Sequence, residues 1–254
     1  MIVPDWELSH DLATASRALG TLEGLIRALP NGNALVQSLL RQEALASCRL
    51  DGIETSPADL ALFEASGTPA TERDEVRAVA NYVIALQDAL GRQSGGNEAK
   101  SAPLVYGCVD HQFSVDRLLL FAALGAPVDV SSFFTRHREQ YGARGKAAQG
   151  EWLRFVFHGI GEQARAAGAR LLALDVLSRS WRTRVATARN SAALEPVLDG
   201  LLAVPAITGA RLAEVMGVTY PAARKTLDGL VERGILTPTT VGKRHFFVAE
   251  EVLG

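Results

Sequence analysis

Residues able to do chemistry are concentrated in three stretches. The first is Asp110-His111-Gln112-Phe113-Ser114-Val115-Asp116-Arg117, where His111 and Asp116 would offer a base and a metal-binding carboxylate five residues apart. The run contains no glycine, so no backbone amides are free to cradle a phosphate, and His111 reads instead as a polar helix residue. In the second stretch, His137 lies between Arg136 and Arg138 and His158 within Phe155-Val156-Phe157-His158-Gly159. Both histidines are read as structural. The basic run around them, with Arg144 and Lys146, is read first as a solvated face and second as a contact for DNA backbone or a partner. The third stretch is C-terminal, where Thr219, Tyr220, Arg224 and Lys225 are followed by Lys243 and Arg244. Cys48 and Cys108 form no Cys-x-x-Cys pair, which excludes a disulfide framework or a cysteine-based zinc module. Neither a metal nor a cofactor is expected.

The 254 residues suffice for one large and one small domain. With 48% hydrophobic and 21% charged residues, the composition is that of a globular chain with a proper core. A net charge of −2 supplies no global attraction to nucleic acid or anionic lipid, so any basic surface must be local. The N-terminal residues carry no basic segment followed by an apolar one, and the apolar run Leu118 to Val128 is too short to span a bilayer. A cytoplasmic protein without membrane association is the expectation.

The elements that must position these residues are almost all helical. Leu12, Leu19, Leu22, Leu25, Ile26 and Leu29 mark a first amphipathic helix, closed by Pro30-Asn31-Gly32. A second runs from about Asn33 through Leu45 to Asp51-Gly52, where glycine suits the C-terminal cap. Ser56-Pro57 starts a short helix, and Thr71-Glu72-Arg73-Asp74 reads as a capping-box variant before a long one. Residues 91–103 read as a loop. Helical patterns return from Val105 through Leu124, from Ser131 to about Tyr141, and from Glu151 to about Trp181. Phe133, Phe134, Trp152, Phe155 and Phe157 are assigned to the core. The only strand signal lies between Gly234 and Val248.

Toward the end, Leu194 to Leu202 form a helix that Pro205 stops, and Thr208 caps a short second helix. Gly217-Val218 is a turn. Thr219 caps a third helix reaching Arg233, with Ala223, Leu227, Leu230 and Val231 on its buried stripe, and a β-hairpin with a basic strand or tip follows. This order is that of a winged helix-turn-helix, whose third helix would enter the major groove while the wing lies on the adjoining backbone. Thr219 to His245 carry a net charge of +3, so one copy should hold nonspecific duplex with a Kd on the order of 10⁻⁴ to 10⁻⁶ M. A homodimer on double-stranded DNA is therefore expected. A packing or protein-interaction role for the same module is the alternative.

Leu39 to Ser56, then Leu60-Ala61-Leu62-Phe63-Glu64-Ala65 and Glu75 to Leu86, resemble the N-terminal region of Fic-family proteins, which typically transfer AMP from ATP to hydroxyl groups. The likeness returns in Phe133 to Tyr141 and Trp152 to Ile160, and the C-terminal module is similar to one ending many such proteins. The resemblance implies that Ser47-Cys48-Arg49-Leu50-Asp51-Gly52 corresponds to the family's inhibitory Ser-x-x-x-Glu-Gly helix, with Asp51 one methylene shorter than the glutamate. It also implies a catalytic loop His-Pro-Phe-x-Asp-Gly-Asn-Gly-Arg, which this sequence lacks. The interval from Leu90 to Arg117 is short for the family's catalytic core, which reads as an internal deletion, and Asp51 and Arg117 are expected to survive as an ion pair.

These readings converge on a mainly α protein. A truncated Fic-like helical bundle at 1–190 is followed by a winged helix-turn-helix with a small β-hairpin at 191–254. The leading expectation is a noncatalytic, DNA-binding transcriptional regulator. An AMP-transferring enzyme with a rebuilt site, and an adaptor or antitoxin-like partner of an active Fic-family protein, are the alternatives.

Overall fold

The computed structural model describes residues 6–66, 74–93, 117, 120–143, 145, 148–186 and 191–253. The Thr71 capping box, most of the 91–103 loop, the stretch from Val105 to Asp116 including His111, and Arg144 and Lys146 lie outside them. The N-terminal helices are α1 (Trp6–Ala28), α2 (Gly32–Leu50), α3 (Pro57–Ser66) and α4 (Asp74–Gln93). A helical turn at 120–124 leads to α5 (Val130–Arg136), α6 (Arg138–Gly142) and the 37-residue α7 (Gln149–Val185). Next come α8 (Ser191–Ala203), β1 (Ala206–Ile207), α9 (Gly209–Met216) and α10 (Tyr220–Glu232). The chain finishes with β2 (Thr237–Val241), β3 (Arg244–Val248) and α11 (Glu250–Leu253).

Helix α7 is the spine, and α1 lies along it. Leu8, Ala15 and Leu22 bury a narrow seam of α1 at seven-residue spacing. They meet a face of α7 that includes Gly161, where an added Cβ would stand 3.5 Å from the Ala15 Cα. The entry to α2 is tighter. A Cβ on Gly32 would fall 2.2 Å from the Ile26 carbonyl oxygen, a backbone atom that has nowhere to go. Gly32→Ala is therefore expected to lose about 3 kcal/mol in urea unfolding. Gly20→Ala, in exposed mid-helix with nothing within 4 Å, should gain about 0.5–1 kcal/mol. Equal effects at the two sites would refute this packing.

A single apolar core joins Leu22, Leu35, Phe133, Leu171 and Trp181 to Leu198, Leu212, Leu227, Phe247 and Val252, so it continues across residue 190. Polar links reinforce the junction. Trp181 Nε1 donates to Glu251 at 2.9 Å, and Arg182 of α7 donates to Glu195 at 2.5 Å and to Asp199 at 2.7 Å. A second cluster packs α2 against α3 and α4 through Leu40, Ala44, Leu60, Val79, Val83 and Leu86.

The three antiparallel strands lie in the order β1-β3-β2, with Ala206 and Thr237 flanking Val248. Strand β3 is covered on both faces. Phe247 enters the main core, while Phe246 and Val248 meet Ala61 and Leu62 of α3. A continuous apolar run is what such a strand requires.

Several expectations need correction. Strand β1 was absent from the sequence reading, because two residues display no alternation. The helix expected from Ser131 to Tyr141 breaks at His137 (φ −112°, ψ 42°), whose ring lies 4.4 Å from that of Phe133. Helix α4 runs through Gln93, into the expected loop. Thr219 occupies the N-cap position of α10 without a side-chain cap bond, and Val231 is only half-buried.

Candidate nucleic-acid interface and the Arg117 cluster

The C-terminal face is built from α9, α10 and the hairpin. Thr208 caps α9 by accepting the Arg211 backbone N–H at 3.2 Å, and Gly217 (φ +62°) ends the helix in the left-handed region that glycine tolerates. Pro221 at the first turn of α10 then suits a helix start, presenting Thr219 and Tyr220 to solvent. The Tyr220 ring covers Gly209, where a Cβ would come within 2.8 Å of its Cε2.

An open groove of about 700 Å³ runs between this helix start and the β2–β3 hairpin, lined by Arg211, Tyr220, Lys243 and Arg244 together with the carboxylates Glu64 and Glu214. It brings together three of the residues singled out in sequence, Tyr220, Lys243 and Arg244. Thr219 and Lys225 are exposed on α10 outside it. Arg224 is placed differently from a free phosphate ligand. Its Nε donates to Asp228 at 3.1 Å and its guanidinium carbon lies 4.9 Å from the centre of the Phe247 ring, so it is engaged in holding α10 to β3. Sequence reasoning missed Arg211 and His245, which also face the groove, Arg211 being paired there with Glu214 at 2.7 Å. It considered the third helix and the basic wing residues, whereas Arg211 projects from the second helix. Elsewhere the basic run is used internally, with Arg136 paired to Glu162 and Arg138 donating to the Leu50 carbonyl at 3.2 Å. His158 is exposed, with Nε2 4.0 Å from Glu162 Oε2.

The second constellation forms at the end of α2. Gly52 (φ +85°) closes the helix as a Schellman motif, its N–H donating to Arg49 O while Ile53 N–H donates to Cys48 O. On this end sits Arg117. Its Nε donates to Ser47 Oγ at 2.7 Å, and Nη2 donates to Ser47 O at 3.0 Å and to Asp51 Oδ2 at 2.5 Å. Nη1 donates to the Tyr141 hydroxyl at 3.4 Å, and Tyr141 is itself held by stacking on Phe134 at 4.5 Å between ring centres. The side chains of Arg117 and Asp51 are only 3% and 4% exposed. Burial opposes the guanidinium charge, yet the Tyr141 hydrogen bond and the Asp51 carboxylate outweigh it and hold its pKa above the ordinary value. Burial, then the charge of Glu43, pushes the nearby Tyr82 phenol far above its usual range. The ion pair expected from the sequence is formed, on the C-terminal carbonyls of a helix where positive charge is favoured.

Residues 9–91 match the family model described as Fic/DOC family N-terminal. The match covers about a third of the chain. No curated protein matches the chain closely enough to carry an argument. Ser47, Asp51 and Gly52 lie inside the matched Fic-type region, and Arg117 reaches them from beyond its end. Among the described residues no three His, Cys, Asp or Glu side chains converge in a metal-binding arrangement, and no helix is long and apolar enough to cross a membrane.

Within the Fic-type region Glu43 is also buried, accepting from Ser131 N–H at 3.0 Å and Ser131 Oγ at 2.5 Å. Beside it Asp129 caps α5 by accepting the Ser132 N–H at 2.9 Å. Burial, followed by the charge of Asp129, raises Glu43 well above the carboxylate range, and burial raises Asp129. A raised carboxyl holds a proton when folded that the unfolded chain has already released. Its stabilising contribution is therefore complete below the unfolded value of about 4.3 and is lost as pH climbs toward the raised folded value. Glu43→Gln keeps the acceptor for Ser131 and cannot ionise. Between about pH 5 and pH 8 the variant should lose on the order of 1–2 kcal/mol less stability than wild type in urea unfolding. An unchanged pH slope would contradict the assignment.

Proposed function

We propose that the protein is a noncatalytic Fic-family relative that binds double-stranded DNA through its C-terminal module and acts as a transcriptional regulator in the cytoplasm. The observation carrying this reading is the groove in which Tyr220, Lys243 and Arg244 converge from α10 and the wing, beside exposed Thr219 and Lys225. Exposed cations at a helix start and on an adjoining hairpin are what phosphates on either side of a major groove would meet. Arg224 contributes by positioning α10 on Phe247. The excess of positive charge is small, so affinity at physiological salt requires a homodimer on two half-sites, spaced by about 34–36 Å or a multiple of it.

The sequence lacks the family's His-Pro-Phe-x-Asp-Gly-Asn-Gly-Arg loop, which weighs against AMP transfer. Asp51 is buried against this chain's own Arg117, which weighs against an adaptor docking through the Ser47 to Gly52 helix. Selection from a pool of random duplexes tests the reading. The full chain should enrich an inverted repeat with half-sites one helical turn apart. A pool that stays random after repeated rounds, with labelled AMP transferred to a protein substrate instead, would favour the enzyme.

A further inference from the structure

Arg170 lies midway along α7, and its Nη2 donates to the Val252 carbonyl of α11 at 3.0 Å. Its Nε is buried and reaches no acceptor, and among the described residues no carboxylate pairs with it. Beside it, between α2, α3, α7 and the C-terminal module, is a cavity of about 70 Å³. That is room for on the order of five water-sized atoms. Its lining combines the polar side chains of Arg170, Ser38 and Gln42 with the apolar ones of Leu45, Leu60 and Pro205. Arg41, which also borders the cavity, is already neutralised by two bonds to Glu64 at 2.8 and 2.9 Å. Arg170 also borders a cavity of about 200 Å³ that contains Asp129, whose carboxylate would repel an anion there.

We infer that this cavity is a binding site for a short aliphatic carboxylate, held by Arg170 and Ser38 with its hydrocarbon chain against Leu45, Leu60 and Pro205. The charge of the guanidinium and its unanswered donor call for an anionic oxygen. The small volume and apolar wall exclude a phosphate ester, which would need several more donors, and select a chain of a few carbons. Burial lowers the Arg170 pKa from its ordinary value, with the Asp129 charge opposing, and a carboxylate partner would reverse that direction. Because Arg170 also holds Val252, the ligand would lie where α7 meets the C-terminal module. The site stands whether or not that module binds DNA.

Calorimetric titration and thermal unfolding of the full chain with butyrate, butyramide and chloride test the inference. Butyrate at about a hundredfold over its Kd should raise the melting midpoint by about 5–10 °C, while butyramide and chloride at the same concentration should not. Arg170→Met should abolish the shift. Ala203→Leu, which fills the cavity and leaves Arg170 in place, should abolish it as well, and serves if Arg170→Met does not fold. No heat and no shift with butyrate at millimolar concentrations would overturn the site. So would an equal shift with butyramide, or one that persists in a folded variant.

Discussion

Truncating Arg117 to alanine is expected to destabilise the protein by about 3–5 kcal/mol, more than any other single substitution proposed for this chain. The side chain neutralises buried Asp51, satisfies the Ser47 hydroxyl and carbonyl, and reaches Tyr141. Its removal strands a carboxylate that is 4% exposed and unsatisfies the C-terminal end of α2 at once. Urea unfolding measures the loss directly. Asp51→Asn alone should cost less, since the amide oxygen still accepts from Arg117. The double variant Arg117→Met with Asp51→Asn should recover part of the loss, with a coupling energy of about 0.5–3 kcal/mol. A single-variant cost below about 1 kcal/mol would mean that the pair is solvated and that this cluster does not anchor α2.

The second large effect concerns duplex affinity. Replacing Lys225, Lys243 and Arg244 together by alanine removes exposed cations from α10 and the β2–β3 hairpin and leaves the buried stripe of Ala223, Leu227 and Leu230 intact. Folding should be unaffected. Duplex binding at low salt should weaken by about tenfold to a hundredfold, and the slope of log K against log salt should fall by about 0.9 for each phosphate that is no longer neutralised. Fluorescence anisotropy with a labelled duplex reads both. Arg224→Ala is a poorer probe, because it also frees Asp228 and uncovers Phe247. A triple variant that binds as tightly as wild type would contradict this interface.

Much of this architecture was legible because local chemistry and tertiary structure agree. Gly52, Gly217 and Gly234 all adopt positive φ at the helix ends where the sequence placed stops, and Thr208 caps α9 as its position suggested. What escaped depends on distant partners. Strand β1 exists because Ala206 and Ile207 find Val248 and Phe247 about forty residues on, and the break at His137 accompanies its packing on Phe133. Arg224 read as an exposed basic residue, since nothing local shows that Phe247 lies beneath it. The pair between Asp51 and Arg117 was visible only through the family resemblance, because no periodicity relates those residues. The core running from Phe133 to Phe247 was invisible for the same reason, as was the burial of β3 under α3.

Duplex binding by the chain as a function of salt is the most direct test of the proposed function. The account predicts measurable binding at low ionic strength and a linear fall of log K with log salt, at a slope corresponding to several phosphate contacts per protomer. Absence of binding at low salt, or binding indifferent to salt, would contradict it.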